Sequence, residues 1–146
     1  MTKGIVTYTI HIDRPAVEAE FIKVATSRVD HVTGEIAKTA KLLAPFRTGR
    51  LKARIGATHA KRTGPWRVQG EAVSRAKYSA YVHDGTRPHI IRARRAAALH
   101  FFWPKVGREV FFRHVHHPGT RPRPFMLEAA EEVARIQRAK EALYHP

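Results

Sequence analysis

One helical stripe in the first third of the chain constrains the fold more than any other feature. Phe21, Ala25, Val29, Val32, Ile36, Ala40 and Leu43 recur at three- and four-residue spacing, which lines them along one side of an α-helix. Asp13 stands where it can cap that helix, Pro15 fits its first turn and Pro45 stops it. The spacing predicts one amphipathic helix over 14–44, roughly 45 Å long, with Gly34 as its weak point. Such a helix needs a second layer to cover its apolar side, and part of its length is available to a neighbouring subunit.

The rest of the chain supplies that layer. Val6, Tyr8, Ile10 and Ile12 alternate with polar residues, a strand pattern. Beyond Pro45, Leu51–His59 is short, mixed and β-compatible, and Gly64-Pro65 marks a turn. Trp66, Val68, Gly70, Ala72 and Ser74 alternate on one side of a further strand. The apolar segment Tyr78–Val82 ends at Asp84-Gly85, and the Arg-rich residues 85–98 read as a loop. Leu99–Trp103 and Glu109–Val115 are aromatic, β-prone runs joined by a Pro- and Gly-containing turn, a hairpin pattern. His116–Arg123 reads as a second loop, and Phe125, Ala129, Val133, Ile136 and Leu143 recur at helical spacing after Pro124. The expected fold is a single α+β domain over 1–146. A long N-terminal helix and a C-terminal helix pack on a small, mostly antiparallel β-sheet with a projecting hairpin. His83-Asp84-Gly85-Thr86-Arg87-Pro88 is echoed 34 residues later by His117-Pro118-Gly119-Thr120-Arg121-Pro122. The echo reads as two loops of similar turn chemistry.

Charge is distributed unevenly over this plan. The chain's formal net charge is +15, but residues 1–44 contribute +1, 45–86 contribute +7, 87–123 contribute +8 and 124–146 contribute −1. The turns and hairpin between two balanced helices hold the whole excess, a block suited to a polyanion or an acidic protein face. With no cysteine, disulfides, thiol nucleophiles and Cys-ligated metals are excluded. No apolar run approaches the length of a membrane span, and the N-terminus has no secretory pattern, so a soluble protein folded in a reducing cytoplasm is expected.

The usual catalytic signatures are missing. There is no Gly-x-Ser-x-Gly, His-Glu-x-x-His, P-loop or dinucleotide fingerprint. His114, His116 and His117 lie close in sequence, but Glu109 is the one acid within 87–123, which is poor ligand chemistry for a metal and poor carboxylate supply for a magnesium nuclease. The protein is expected not to be an enzyme and to carry neither cofactor nor metal. The weakest alternative is a toxin-like nuclease using His83, His117 and Arg87.

Three segments instead stand out together. The first is Ala44-Pro45-Phe46-Arg47-Thr48-Gly49-Arg50-Leu51-Lys52-Ala53-Arg54-Ile55, the second runs from Tyr78 through Tyr81-Val82-His83-Asp84-Gly85-Thr86 to Pro88, and the third is Pro122-Arg123-Pro124-Phe125-Met126. Their order and spacing resembles the tail-completion, or head–tail joining, proteins of long-tailed bacteriophages, over about residues 15–140. In that family a helix precedes Pro-x-x-Thr-Gly-x-Leu. Strands, Tyr-x-x-Val-(Glu/His)-x-Gly-Thr, a hairpin, Pro-Phe-(Leu/Met) and a closing helix follow. His83 stands where an acid is frequent and Met126 where leucine is frequent, and the loop 87–98 is unusually Arg-rich.

The resemblance implies a structural protein of the virion neck, assembled in the host cytoplasm. It would form a closed ring of identical subunits, a hexamer, between the head-side connector or stopper protein and the tail terminator or tail-tube protein. No membrane is involved. Arg47, Arg54, Arg87, Arg92, Arg94, Arg95, Arg121 and Arg123, with Phe102, Trp103 and Phe112 of the hairpin, are the expected contacts to subunits, partners or DNA passing through the lumen. The motifs also have a physical reading of their own. Thr48-Gly49 and Asp84-Gly85 are sharp turns in which glycine can take positive φ, and Thr48 can bond its own backbone. Leu51 re-enters the core, Tyr81 and Val82 pack on the sheet, and Phe125 docks the last helix. Phe101, Phe102, Trp103, Phe111 and Phe112 exceed what one sheet face can hide, so an opposite layer and a neighbour should each cover some. The competing function is a sequence-nonspecific nucleic-acid-binding protein, which the charge and the Arg–aromatic interleaving suit.

Overall fold

A computed structural model describes residues 12–144. The strand expected over Val6–Ile12 therefore lies, except for Ile12, outside the described residues. Helix α1 spans Arg14–Leu43 and runs through Gly34 without a break. The Asp13 carboxylate accepts from the Ala16 amide at 3.2 Å and caps it. At the other end the Ala44 amide donates to the Ala40 carbonyl, and Ala44 turns extended (ψ 133°) as the residue before a proline must. Helix α4, Phe125–Tyr144, packs along α1.

The two helices share a core built largely of small side chains. Ala37, Ala40 and Ala44 join Ala129, Leu51, Ile55, Ala76 and Phe125, the last being the largest fully buried side chain, 1% exposed. The buried Thr33 hydroxyl donates back to the Val29 carbonyl at 2.9 Å, which satisfies it inside its own helix. The expected stripe holds in the middle of α1, where Val29, Val32 and Ile36 are half-buried and Ala40 is buried. It fails at its ends, because Phe21 remains 41% exposed and Leu43 45%. The row Thr33, Ala37, Ala40 and Ala44 is buried deepest, since small residues let α4 approach closely. At roughly 1.5 Å per residue, the 20 residues of α4 cannot cover the 30 of α1.

Among the described residues the strands form four two-stranded antiparallel ladders, not one sheet. They belong to two bent hairpins. The first runs from 54 to 75. Its strand β1 (Ile55–Ala57) pairs with β4 (Ala72–Ser74), and β2 (Lys61–Gly64) pairs with β3 (Arg67–Gln69). The Thr58 and Arg75 amides, donating to the Glu71 and Arg54 carbonyls at 2.8 Å, continue the ladder. Leu51 is not part of it. It lies in a short helix α2, Arg50–Ala53, which corrects the β-compatible reading of 51–59 at its start. The strand expected over Trp66–Ser74 is also split, into β3 and β4. The reason is Gly70, where a Cβ would come within 2.8 Å of Val29 Cγ1, so the chain passes α1 at a distance only glycine allows. Three further ties hold this hairpin to α1. The Asp30 carboxylate accepts from the Ala60 amide at 2.6 Å, Arg62 pairs with Glu18, and the Trp66 ring lies 5.3 Å from that of Phe21.

After a short helix α3 (Ser79–His83) the second hairpin runs from 86 to 120. Strand β5 (His89–Arg92) pairs with β8 (His114–His117), and β6 (Leu99–Trp103) with β7 (Arg108–Phe112). The β6–β7 hairpin is as expected, although the run Glu109–Val115 is split at Arg113 between β7 and β8. The two flanking loops are not, since β5 lies inside 85–98 and β8 takes up His116 and His117. Their pairing is long-range and invisible to local pattern. The Thr86–Thr120 bridge shares the register of β5–β8, so Pro88 falls opposite Pro118 and the missing amide hydrogens open a gap in the ladder. Residues 93–98 bulge out against Arg113 alone. The strands of this arm pack chiefly on each other.

Candidate functional site

The three motifs meet at the root of the arm. In the first, Gly49 takes φ +75° and turns the chain into α2, whose Leu51 is buried in the core. This matches the expected turn, although no hydrogen bond of the Thr48 hydroxyl is present among the described residues. In the second, Tyr78 precedes α3, which carries Tyr81 and Val82, and Gly85 turns at φ +73°. Tyr81 and Val82 are thus helical and do not pack on a sheet. Val82 lies against the core, and Tyr81 stays 63% exposed. In the third, the Glu128 amide donates to the Pro124 carbonyl, so Pro124 opens α4 as expected, and Phe125 docks it.

Hydrogen bonds tie the second and third motifs together, and Leu51 of the first packs with them in the core that holds Phe125 and Val82. The Arg123 amide donates to both the Val82 and His83 carbonyls at 3.1 Å, and the His83 ring meets Phe125 edge-on at 5.7 Å. Thr86 and Thr120 exchange two backbone hydrogen bonds at 3.1 Å. A Cβ on Gly85 would stand 2.5 Å from the Thr120 carbonyl oxygen, and one on Gly119 would overlap the Thr86 carbonyl, so both glycines are required by close approach as well as by positive φ. The 34-residue echo is therefore a paired structure, with the two Gly-Thr-Arg-Pro segments running antiparallel about a local two-fold axis.

Around this junction lies a groove of about 950 Å³. Pro45, Tyr78, Tyr81 and Val82 form its apolar part, and Arg87, Arg121 and Arg123 supply charge. A smaller adjoining hollow of about 600 Å³ includes Arg47, Thr48, Gly49 and Arg50. No acidic group lies within 4 Å of these five arginines' charged nitrogens among the described residues. Asp84, the nearest acid in sequence, is engaged by His83 at 2.7 Å. His89 and His117, whose rings lie 5.0 Å apart, also line the groove. Sequence reasoning left them out of the candidate contacts. The echo was the signal that could have found them, had it been read as a pairing.

The other candidate contacts lie elsewhere. Arg54 follows α2, and Arg92, Arg94 and Arg95 stand at the bulge of the arm. Trp103 and Phe112 pack edge-on at 5.9 Å on one arm face with Leu99, Phe101 and Val110, bordering a hollow of about 420 Å³. Phe102 and Phe111 are on the other face, 58% and 67% exposed, with His100 stacked on Phe111 and paired to Glu109 at 2.8 Å. Among the described residues no opposite layer covers either face, so the expected second layer is not there. His114 and His116 share a face of β8, with rings 5.7 Å apart, and among the described residues no group of three potential ligands is placed to hold a metal. No helix among them is long and apolar enough to cross a membrane.

Comparison with known protein families, curated proteins and solved structures finds no match to this chain.

Proposed function

We propose that this protein is a structural subunit of a bacteriophage neck ring, joining the connector of the DNA-filled head to the tail, with no catalytic role. The observation that carries the reading is the convergence of the three motifs. Segments 45–51, 78–86 and 123–125 are far apart in sequence, yet they border the groove and its adjoining hollow and are hydrogen-bonded or packed together. The arm supports it as well. Exposed Phe102 and Phe111 on a lone two-stranded ladder are a surface that another chain would bury, and a repeated heterologous contact of that kind closes a ring.

Electron microscopy of the purified protein and of a phage carrying variants tests this. Rings are expected from the wild type. Arg94→Glu/Arg95→Glu and Asp84→Ala proteins are expected to fold, while their lysates hold filled heads and separate tails. Normal tailed particles from these variants would remove the arm and the Asp84 turn from any joining role.

A second reading, sequence-nonspecific nucleic-acid binding, draws on the groove arginines that have no acidic partner among the described residues. It predicts duplex binding that weakens steeply with salt. A stable ring with no DNA affinity at moderate salt would end it.

A further inference from the structure

We infer that the groove at the arm root is a docking site for an extended, acidic polypeptide segment with apolar side chains, contributed by a partner protein. The inference rests on the reading above for the groove's role and names the chemistry of its occupant.

Size, charge and lining converge on that occupant. A groove of about 950 Å³ is in the range of built ligand sites, and roughly six extended residues, ~20 Å of strand, match it. A nucleic-acid duplex presents its phosphates on the outside of a stiff rod, so it meets the arginines without filling the groove. Arg87, Arg121 and Arg123 offer planar guanidinium groups with no acidic partner among the described residues, the geometry that takes carboxylates in paired hydrogen bonds. Arg87 and Arg121 are equivalent positions of the echo, placed on either side of the Thr86–Thr120 bridge. The same groove is lined by Tyr78, Tyr81 and Val82, an apolar surface that an all-acidic or all-phosphate ligand leaves unused. The walls are also fixed before anything binds. The Arg123 amide bonds to α3, and two glycines with positive φ lock the root. Little ordering cost then falls on the complex.

The test is fluorescence anisotropy on the full chain with a labelled octapeptide of six Asp and Glu residues and two leucines. Two variants remove the same charge. One is Arg87→Gln/Arg121→Gln/Arg123→Gln at the groove, and the other is Arg92→Gln/Arg94→Gln/Arg95→Gln on the arm. The groove variant is expected to weaken binding by about tenfold or more, and the arm variant by less than about twofold. Tyr81→Ala is expected to weaken it several-fold. Single-stranded and duplex oligonucleotides of equal charge should displace the peptide poorly. Equal losses in the two triple variants would show plain charge attraction and overturn the proposal, as would better displacement by either oligonucleotide. All the substituted side chains are exposed, and a thermal melt checks that each variant is folded. Rings without peptide binding would overturn this inference and leave the neck reading standing. Peptide binding without rings would do the reverse.

Discussion

The chain builds two hairpins of similar plan and gives them opposite fates. Residues 54–75 and 86–120 each form two short ladders in series, interrupted by an irregularity. The first lies against α1, held by Gly70 against Val29, by Asp30 on the Ala60 amide and by Trp66 on Phe21. The second is fastened at its root by Thr86–Thr120 and projects with aromatic residues on both faces. A two-stranded hairpin without a covering layer is marginal in water. The first hairpin is thus part of the domain's stability, and the second stands clear of the core with its aromatic residues exposed. Interior or contact cannot be told from aromatic content, because the projecting hairpin has more of it.

The comparison can be broken at several points. The largest effect is expected from Phe125→Ala, which removes the side chain on which α1, α3 and α4 converge. A loss of about 3–5 kcal/mol, read by thermal or urea melting, should unfold the body and release the arm with it. Two glycine substitutions then separate the hairpins. Gly70→Ala forces a Cβ onto Val29 and should cost about 1–3 kcal/mol of global stability, with the Thr86 and Thr120 amides still protected. Gly119→Ala places a Cβ onto the Thr86 carbonyl at φ +85° and stores strain of about 1–3 kcal/mol. Hydrogen exchange should show the arm amides losing protection while those of α1 and α4 keep theirs. If Gly119→Ala lowers the melting point as much as Gly70→Ala, the arm is not an independent unit.

Smaller effects sharpen the same distinction. Phe102→Ser/Phe111→Ser should change the stability of the monomer by no more than about 0.5 kcal/mol while abolishing self-association in light scattering. The smallest effect concerns the helices. Lys38 and Arg135 hold the carboxyls of Glu35 and Glu132 below their usual value of 4.5, by hydrogen bond and charge. Because the folded form favours the carboxylates, this contribution is complete above the unfolded value and is lost as pH falls through the lowered ones. Both pairs are solvent-exposed, so salt should shrink the acid-side slope of a melting-temperature profile.

The parts legible beforehand were those written in local spacing. The cap at Asp13, the stop at Pro45, the turns at Gly49 and Gly85, the β6–β7 hairpin and the start of α4 each follow from a few adjacent residues. Two things were not legible for a common reason. The strands β5 and β8 pair across a separation that no local window spans, and they are bordered by Pro88 and Pro118 and carry histidines at the positions where strand character is judged. Tyr78–Val82 is apolar and short, a pattern equally compatible with strand and helix, and its contact with Arg123 and the core selected helix. The candidate groove divided the same way. Its motif residues were identifiable one by one, but His89 and His117 became site residues only when the two copies of the echo paired.

The sequence by itself determined a long capped helix, a closing helix, a hairpin and a basic block between balanced ends, because capping, periodicity and charge are properties of neighbouring residues. Tertiary structure decided which face of α1 is buried deepest, since the depth of burial follows from how closely alanines let α4 approach. It also decided that one hairpin lies on α1 while the other stands clear. Close packing at Gly70 draws the first inward, and the paired turns at Gly85 and Gly119 root the second at the groove.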